Sequence, residues 1–143
     1  MLTITRFTYK DEKWAAMSQA IRETVFVKEQ QVSAELEYDG MDDEAIHYLL
    51  FENDTPIGTA RWRHTEKGIK LERFALLPQC RNKGAGSLLL KKVMADVLTE
   101  DKMIYLHAQE KAVAYYLREG FEVEGAPFVE ANIKHLKMVY KQI

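Results

Sequence analysis

Residues 81–86, Arg81-Asn82-Lys83-Gly84-Ala85-Gly86, set two glycines and two cations directly ahead of an apolar-periodic segment. The start of a helix leaves backbone N–H groups unpaired and carries partial positive charge, so it receives phosphate oxygens well. Gly84 and Gly86 lack a Cβ and let the backbone close on an anion, while Arg81 and Lys83 add charge. Neither common nucleotide signature is present. The pattern G-x-x-x-x-G-K-[ST] is absent, and the dinucleotide fingerprint G-x-G-x-x-G needs glycine at 89, where Leu89 stands. By itself R-x-x-G-x-G admits two readings: a phosphate cradle, or a surface turn that opens a helix.

Glu72 is an acid inside an otherwise apolar segment, 68–78, where a lone carboxylate is costly to bury. It acts either as a proton acceptor or as the ionic partner of Arg61 or Arg63 on the preceding strand. His135 belongs to the side-chain class suited to proton transfer near neutrality. Neither His64 nor His107 has a context that recommends it for chemistry. Cys80, the one cysteine, needs a base to act as a nucleophile, and spacing indicates none, so it reads as a bystander. No Cys, His and carboxylate cluster has metal-ligand spacing, and no metal is expected. Residues 28–45 hold seven acids against one lysine, forming either a rim that draws a cationic amine or a solvated loop.

The elements that must position these residues follow from hydrophobic period. Leu2, Ile4 and Arg6–Phe7 alternate as a strand, and from Asp11 the residues Trp14, Met17, Ile21 and Val25 recur at helical spacing. The acid-rich 28–45 reads as loop or short helix. Strands are expected at 46–52, 58–64 and 68–78, the first two joined by the turn 53–58 and the last stopped by Pro78. Leu89, Val93 and Val97 form one stripe of an amphipathic helix over 84–99. A short strand at 103–108 follows, then a helix over 110–120 closed by Gly120, and two last strands, FEVEG (121–125) and HLKMVYKQ (135–142). Hairpins together with helical crossovers imply an α/β sheet of mixed strand direction.

At 143 residues, with no repeat, linker or low-complexity tract, the chain is expected to form one domain spanning 1–143. A formal net charge of −2 gives no field toward nucleic acid, and no apolar run approaches the length of a membrane span. The single cysteine suits a reducing compartment, and a cytoplasmic protein is expected.

LERFALLPQCRNKGAGSLLLKKV (71–93) resembles the central motif of the GCN5-related N-acetyltransferase (GNAT) superfamily, in which strand, pyrophosphate loop and helix cradle acetyl-CoA. AQEKAVAYYLREGF (108–121) resembles its following motif, with Tyr115 in place of the usual Phe. Two further blocks, 21–47 with R-x-x-V-F-x-x-E-Q and 128–138 with E-x-x-I-x-H-x-x-M, are similar to a small bacterial-type subgroup. The four blocks occur in order over nearly the whole chain. Asn82 and Ala85 depart from the usual glycine and branched apolar residue, which is tolerable where only their backbone amides meet phosphate.

The resemblance implies a mixed, mostly antiparallel sheet with helices on both faces, and two parallel strands that splay apart. It implies direct transfer of an acetyl group from acetyl-CoA to a primary amine of a small molecule or peptide. Arg81, Asn82, Lys83, Gly84, Ala85, Gly86 and Ser87 would hold the pyrophosphate. The backbone of Phe74, Ala75 and Leu76 would pair with the pantetheine arm, with Gln109 beside it. Tyr116 matches the tyrosine that protonates the leaving thiolate, although a packed, hydrogen-bonded tyrosine is the plain reading. Glu72, His135 or a water would accept the amine proton, and Glu29 would line the acceptor site. His47 matches a subgroup histidine but reads as a hydrogen-bonded structural residue. A homodimer is compatible with the family. A non-catalytic module that senses acyl-CoA is the competing function.

Overall fold

The computed structural model describes residues 1–141. Strand β1 (Leu2–Phe7) leads into α1 (Glu12–Arg22), which continues as a π-helical stretch, Glu23–Glu29. The Asp11 carboxylate caps α1 by accepting from the Trp14 N–H at 3.0 Å. A short α2 (Ala34–Glu37) precedes the strands β2 (Ile46–Glu52), β3 (Thr55–Thr65) and β4 (Gly68–Leu76). Then come α3 (Ala85–Val97), β5 (Ile104–Gln109), α4 (Val113–Arg118), β6 (Phe121–Val123), β7 (Phe128–Glu130) and β8 (Ile133–Tyr140).

The sheet order is β1-β2-β3-β4-β5-β8-β6, with β7 also on β8. Every neighbouring pair is antiparallel except β4 and β5, which are joined by the helical crossover α3 that parallel strands require. Side-chain alternation sends Tyr48, Leu50, Trp62, Leu71 and Leu106 to one face, where Leu89, Leu90, Val93 and Val97 of α3 cover them. Phe7, Leu49 and Ala75 face the other way, against Ala15 and Ile21 of α1 and Val25 beyond it. The expected mixed, mostly antiparallel sheet with helices on both faces is the fold observed.

Four details differ from the sequence reading. The loop at 53–58 is shorter, because β3 already begins at Thr55 and Glu52 pairs with it. Asn53 tolerates the positive φ (56°) that this tight turn requires. A strand not expected from sequence, β7, forms a hairpin with β8 through Ala131 and Asn132, both at positive φ (53° and 62°). Alanine carries no turn signal, which is why that hairpin was hidden. The helix expected over 110–120 starts with a 3₁₀ turn, Glu110–Ala112, before α4. The final strand is Ile133–Tyr140, and Gln142 lies outside the described residues.

Two irregularities of β4 open the site. Between the pairs Arg61↔Glu72 and Thr59↔Ala75, β3 advances two residues and β4 three, so β4 carries a bulge with Arg73 at φ 58°. On its other side β4 pairs with β5 only at Ile69↔Ile104, Lys70↔Tyr105 and Leu71↔Leu106. Beyond Leu71 the two strands part. The splay implied by the family resemblance is therefore present.

Gly68 pins the closed end of the splay. A Cβ there would lie 2.3 Å from the Met103 carbonyl oxygen, which accepts the Ile69 N–H at 2.8 Å. The φ of 143° adds strain for any other residue. Gly68→Ala is expected to destabilise the protein by on the order of 3 kcal/mol. Thermal or urea unfolding checks this, and an unchanged midpoint would refute it.

Candidate active site

The gap between β4 and β5 is a cleft of about 410 Å³. Phe74, Glu72, Gln109, Tyr116 and His135 all line it, so the tertiary structure brings together five of the residues singled out from sequence. Residues 81–87 form the turn into α3 and its first residues, and none of them lines the cleft. Gly84 caps α3 at φ 83° with no side-chain cap, so the first-turn amides of the helix have no capping side chain. Asn82 is also left-handed (φ 64°), and Asn82, Lys83 and Gly84 are exposed. At Gly86 a Cβ would touch Leu76 Cδ1 at 3.4 Å, which shows how closely α3 starts against the end of β4. Ala75 is buried against α1, and beyond Leu71 its strand is bonded to β3 on one side only; of 74–76, Phe74 lines the cleft and Ala75 and Leu76 do not.

Tyr116 stands on α4 with its ring edge-on to Phe121 (5.6 Å) and Tyr115 (5.1 Å). Among the described residues nothing hydrogen-bonds its hydroxyl, and burial pushes its pKa well above the ordinary value of 10.0. Tyr115 lies within hydrogen-bond reach (3.3 Å) of the Ser87 hydroxyl, linking α4 to the start of α3.

The two readings of Glu72 are unequal in this geometry. Its carboxylate meets Arg63 Nε at 2.7 Å, Arg61 Nη2 at 3.0 Å and Lys70 Nζ at 3.2 Å. Burial raises its pKa, but the Arg63 hydrogen bond and the charges of Arg61 and Lys70 outweigh that and hold it at about 2. A carboxylate so held is a fixed anion and a weak base. The ion pair foreseen with Arg61 or Arg63 forms with both.

The acid-rich segment 28–45 is neither a rim alone nor a solvated loop. Glu37 and Asp42 turn inward onto Arg22, which is 1% exposed, and Asp42 also takes Arg61 Nη1 at 2.7 Å. Asp39 pairs with Arg61 Nη2 at 2.7 Å, and Arg73 at the bulge reaches Glu37 at 2.9 Å. A buried charge is tolerable only when paired, so these acids are the counter-ions of Arg22 on α1 and of Arg61 and Arg73 on the sheet. The imidazole of His47 is bonded to the Asp42 carbonyl (2.9 Å) and stacks on Tyr9, as a structural histidine should.

His135 Nδ1 donates to the Ile133 carbonyl at 2.7 Å. A carbonyl only accepts, so the neutral ring keeps the lone pair on Nε2, in the cleft wall. His107, which has no sequence context to recommend it, also lines the cleft, with Nδ1 3.1 Å from the Glu130 carboxylate. Hydrogen bonding from His107 lowers the Glu130 pKa despite partial burial. This pair was illegible because Glu130 lies on the unforeseen β7. Glu29 and Arg81 are brought to each other, Arg81 Nη1 and Nη2 meeting the Glu29 carboxylate at 2.7 and 2.6 Å. Gln109 Nε2 donates to Gln30 Oε1 at 2.8 Å. Among the described residues no group of three or more His, Cys, Asp or Glu could hold a metal ion.

The family profile described as the acetyltransferase (GNAT) domain matches residues 7–142. YjcF, an uncharacterized N-acetyltransferase of Bacillus subtilis, is 37% identical over 123 residues, covering 83% of this chain and 86% of its own. A crystal structure of an acyl-CoA N-acyltransferase from Pseudomonas aeruginosa has a TM-score of 0.85 at 27% identity, over 99% of this chain and 100% of that one. A GNAT family acetyltransferase from Elizabethkingia anophelis, crystallised with acetyl-CoA bound, shares the fold with a TM-score of 0.69 at 18% identity, over 96% and 94% of the two chains. A family match over nearly the whole chain and a relative 37% identical agree, and this chain belongs to the GNAT acetyltransferase family.

Proposed function

We propose that residues 1–143 form one N-acetyltransferase domain that moves an acetyl group from acetyl-CoA directly to a primary amine of a small molecule or peptide. One observation carries the donor half: β4 is unpaired toward β5 beyond Leu71, and its last residue, Leu76, packs against the uncapped start of α3 at Gly86. A pantetheine arm has the amides to pair with such an edge, and the diphosphate has the helix amides at its end. The E. anophelis relative with acetyl-CoA bound supports the same donor here. The backbone near Leu76 would polarise the thioester carbonyl. Tyr116, protonated at neutral pH, supplies the proton to the leaving thiolate.

On the amine side Glu72 serves as a fixed negative charge, and Nε2 of His135 takes the ammonium proton. His107 is a second candidate on a specific observation, the Glu130 carboxylate that orients its ring as in other base–carboxylate pairs. The free thiol of Cys80 fits a reducing compartment such as the cytoplasm.

A thiol-release assay with acetyl-CoA against a panel of amines tests the reading. Release that depends on one class of amine supports it. Binding of acetyl-CoA without release for any amine favours the non-catalytic sensing module. The base is then identified by substitution. With His135 as base, kcat falls about 10²-fold or more in His135→Gln and stays near wild type in His107→Gln. The reverse pattern transfers the role to His107.

A further inference from the structure

In the donor reading both Arg81 and Gln109 meet the cofactor; Arg81 follows the end of β4, and Gln109 ends β5 and lines the cleft. Two consecutive residues of a third element engage both. Glu29 takes the two terminal nitrogens of Arg81, and Gln30 accepts from Gln109. Arg81 is further committed through Nε to the Leu76 carbonyl at 3.1 Å. Its donors therefore face protein carboxylate and carbonyl, and a diphosphate arriving there meets the negative charge of Glu29.

The segment bearing these two residues is unlike a regular helix end. It closes the seven-residue π-helical stretch Glu23–Glu29, with the Gln30 N–H donating to Val25 O at 3.1 Å. Gln31 follows at φ 59°, a left-handed conformation that strains a residue other than glycine. Val32 N–H then closes on Phe26 O at 2.8 Å. π-helical turns mark places where a helix can rewind, and the Arg81–Glu29 pair, with side chains 33% and 37% exposed, is solvated enough to exchange partners.

We propose that Glu29 and Gln30 form a clasp across the donor entrance, closed in the free protein and released when acetyl-CoA takes over Arg81 and Gln109. The clasp rests on the donor reading above. It makes Glu29 and Gln30 positioning residues that set how fast the donor enters, and it gives the E-Q pair a purpose distinct from lining the acceptor site.

Stopped-flow measurement of acetyl-CoA binding to wild type and to the E29Q/Q30A double variant tests it. A closed clasp limits the wild-type rate to that of opening, so the observed rate levels off at high acetyl-CoA; in the variant that plateau rises about 5-fold or vanishes. In the wild type, hydrogen exchange at the Gln30 and Val32 amides should quicken on adding acetyl-CoA. Equal rates in both proteins leave the donor reading intact and overturn the clasp. Slower or weaker binding by the variant also overturns it, since Glu29 would then be presenting Arg81 to the donor. If neither protein binds acetyl-CoA, the donor reading fails and takes the clasp with it.

Discussion

Replacing Tyr116 with phenylalanine is expected to lower kcat by about 10²- to 10⁴-fold while the dissociation constant for acetyl-CoA stays within a few-fold of wild type. The hydroxyl has no hydrogen bond to lose among the described residues, so its removal costs little stability. The ring keeps its edge-on packing with Phe121 and Tyr115, and α4 stays in place. What disappears is a proton donor facing the cleft. A group that must be protonated to act loses activity as pH rises through its pKa, and burial has moved this pKa upward from 10.0. The alkaline limb due to Tyr116 therefore lies above the range of an ordinary phenol. Thiol release measured to pH 10 and calorimetry with acetyl-CoA check both halves. A variant with wild-type turnover removes Tyr116 from the mechanism and leaves it a packing residue.

Glu72→Gln is expected to cost about 3–5 kcal/mol of stability, because one substitution leaves Arg61, Arg63 and Lys70 around an uncharged amide. For a chain of this length that is a fall in Tm of roughly 10 °C. The pH dependence carries the same signature. Glu72 titrates at about 2 in the fold against an ordinary 4.5, so its stabilisation is complete above about pH 4.5 and is lost as pH falls toward 2. Asp39 adds in the same direction, since bonds from Arg61 and the Met41 N–H overcome its burial and hold its carboxyl below the usual range. Acid unfolding of the wild type should steepen between pH 4.5 and 2, and the variant should lose much of that slope. Were Glu72 instead the base, the variant would keep its stability and lose the acidic limb of kcat/KM. Measuring unfolding and turnover on the same preparation separates the two.

The arginine network explains why the bulge on β4 can exist. Arg73 occupies a left-handed conformation in mid-strand, a strained position for a side-chain-bearing residue. Its guanidinium reaches Glu37 and Asp39, which are also the partners of Arg22 and Arg61. Segment 34–42 is thereby tied across the bulge. The charge pairs that look like an acceptor rim from sequence are part of what holds the cleft open.

By itself the sequence determined the number and order of most elements, since apolar period and glycine punctuation act locally. The α3 stripe of Leu89, Val93 and Val97 and the glycine turn before it are local patterns of this kind, and four motif blocks in order identified the family. Tertiary structure alone decided who pairs with whom. Nothing in the spacing of Arg22, Glu37, Asp42, Arg61 and Glu72 shows that they share one buried network, because those contacts span 15 to 22 residues along the chain between Arg22 and its acids or Arg61 and Asp39. The joining of Glu29 to Arg81, 52 positions away, is likewise a product of folding. Catalytic residue types can be read from a chain one at a time. Whether a carboxylate is a base or a counter-ion depends on the cations that folding brings within 3 Å of it, and that is settled only in three dimensions.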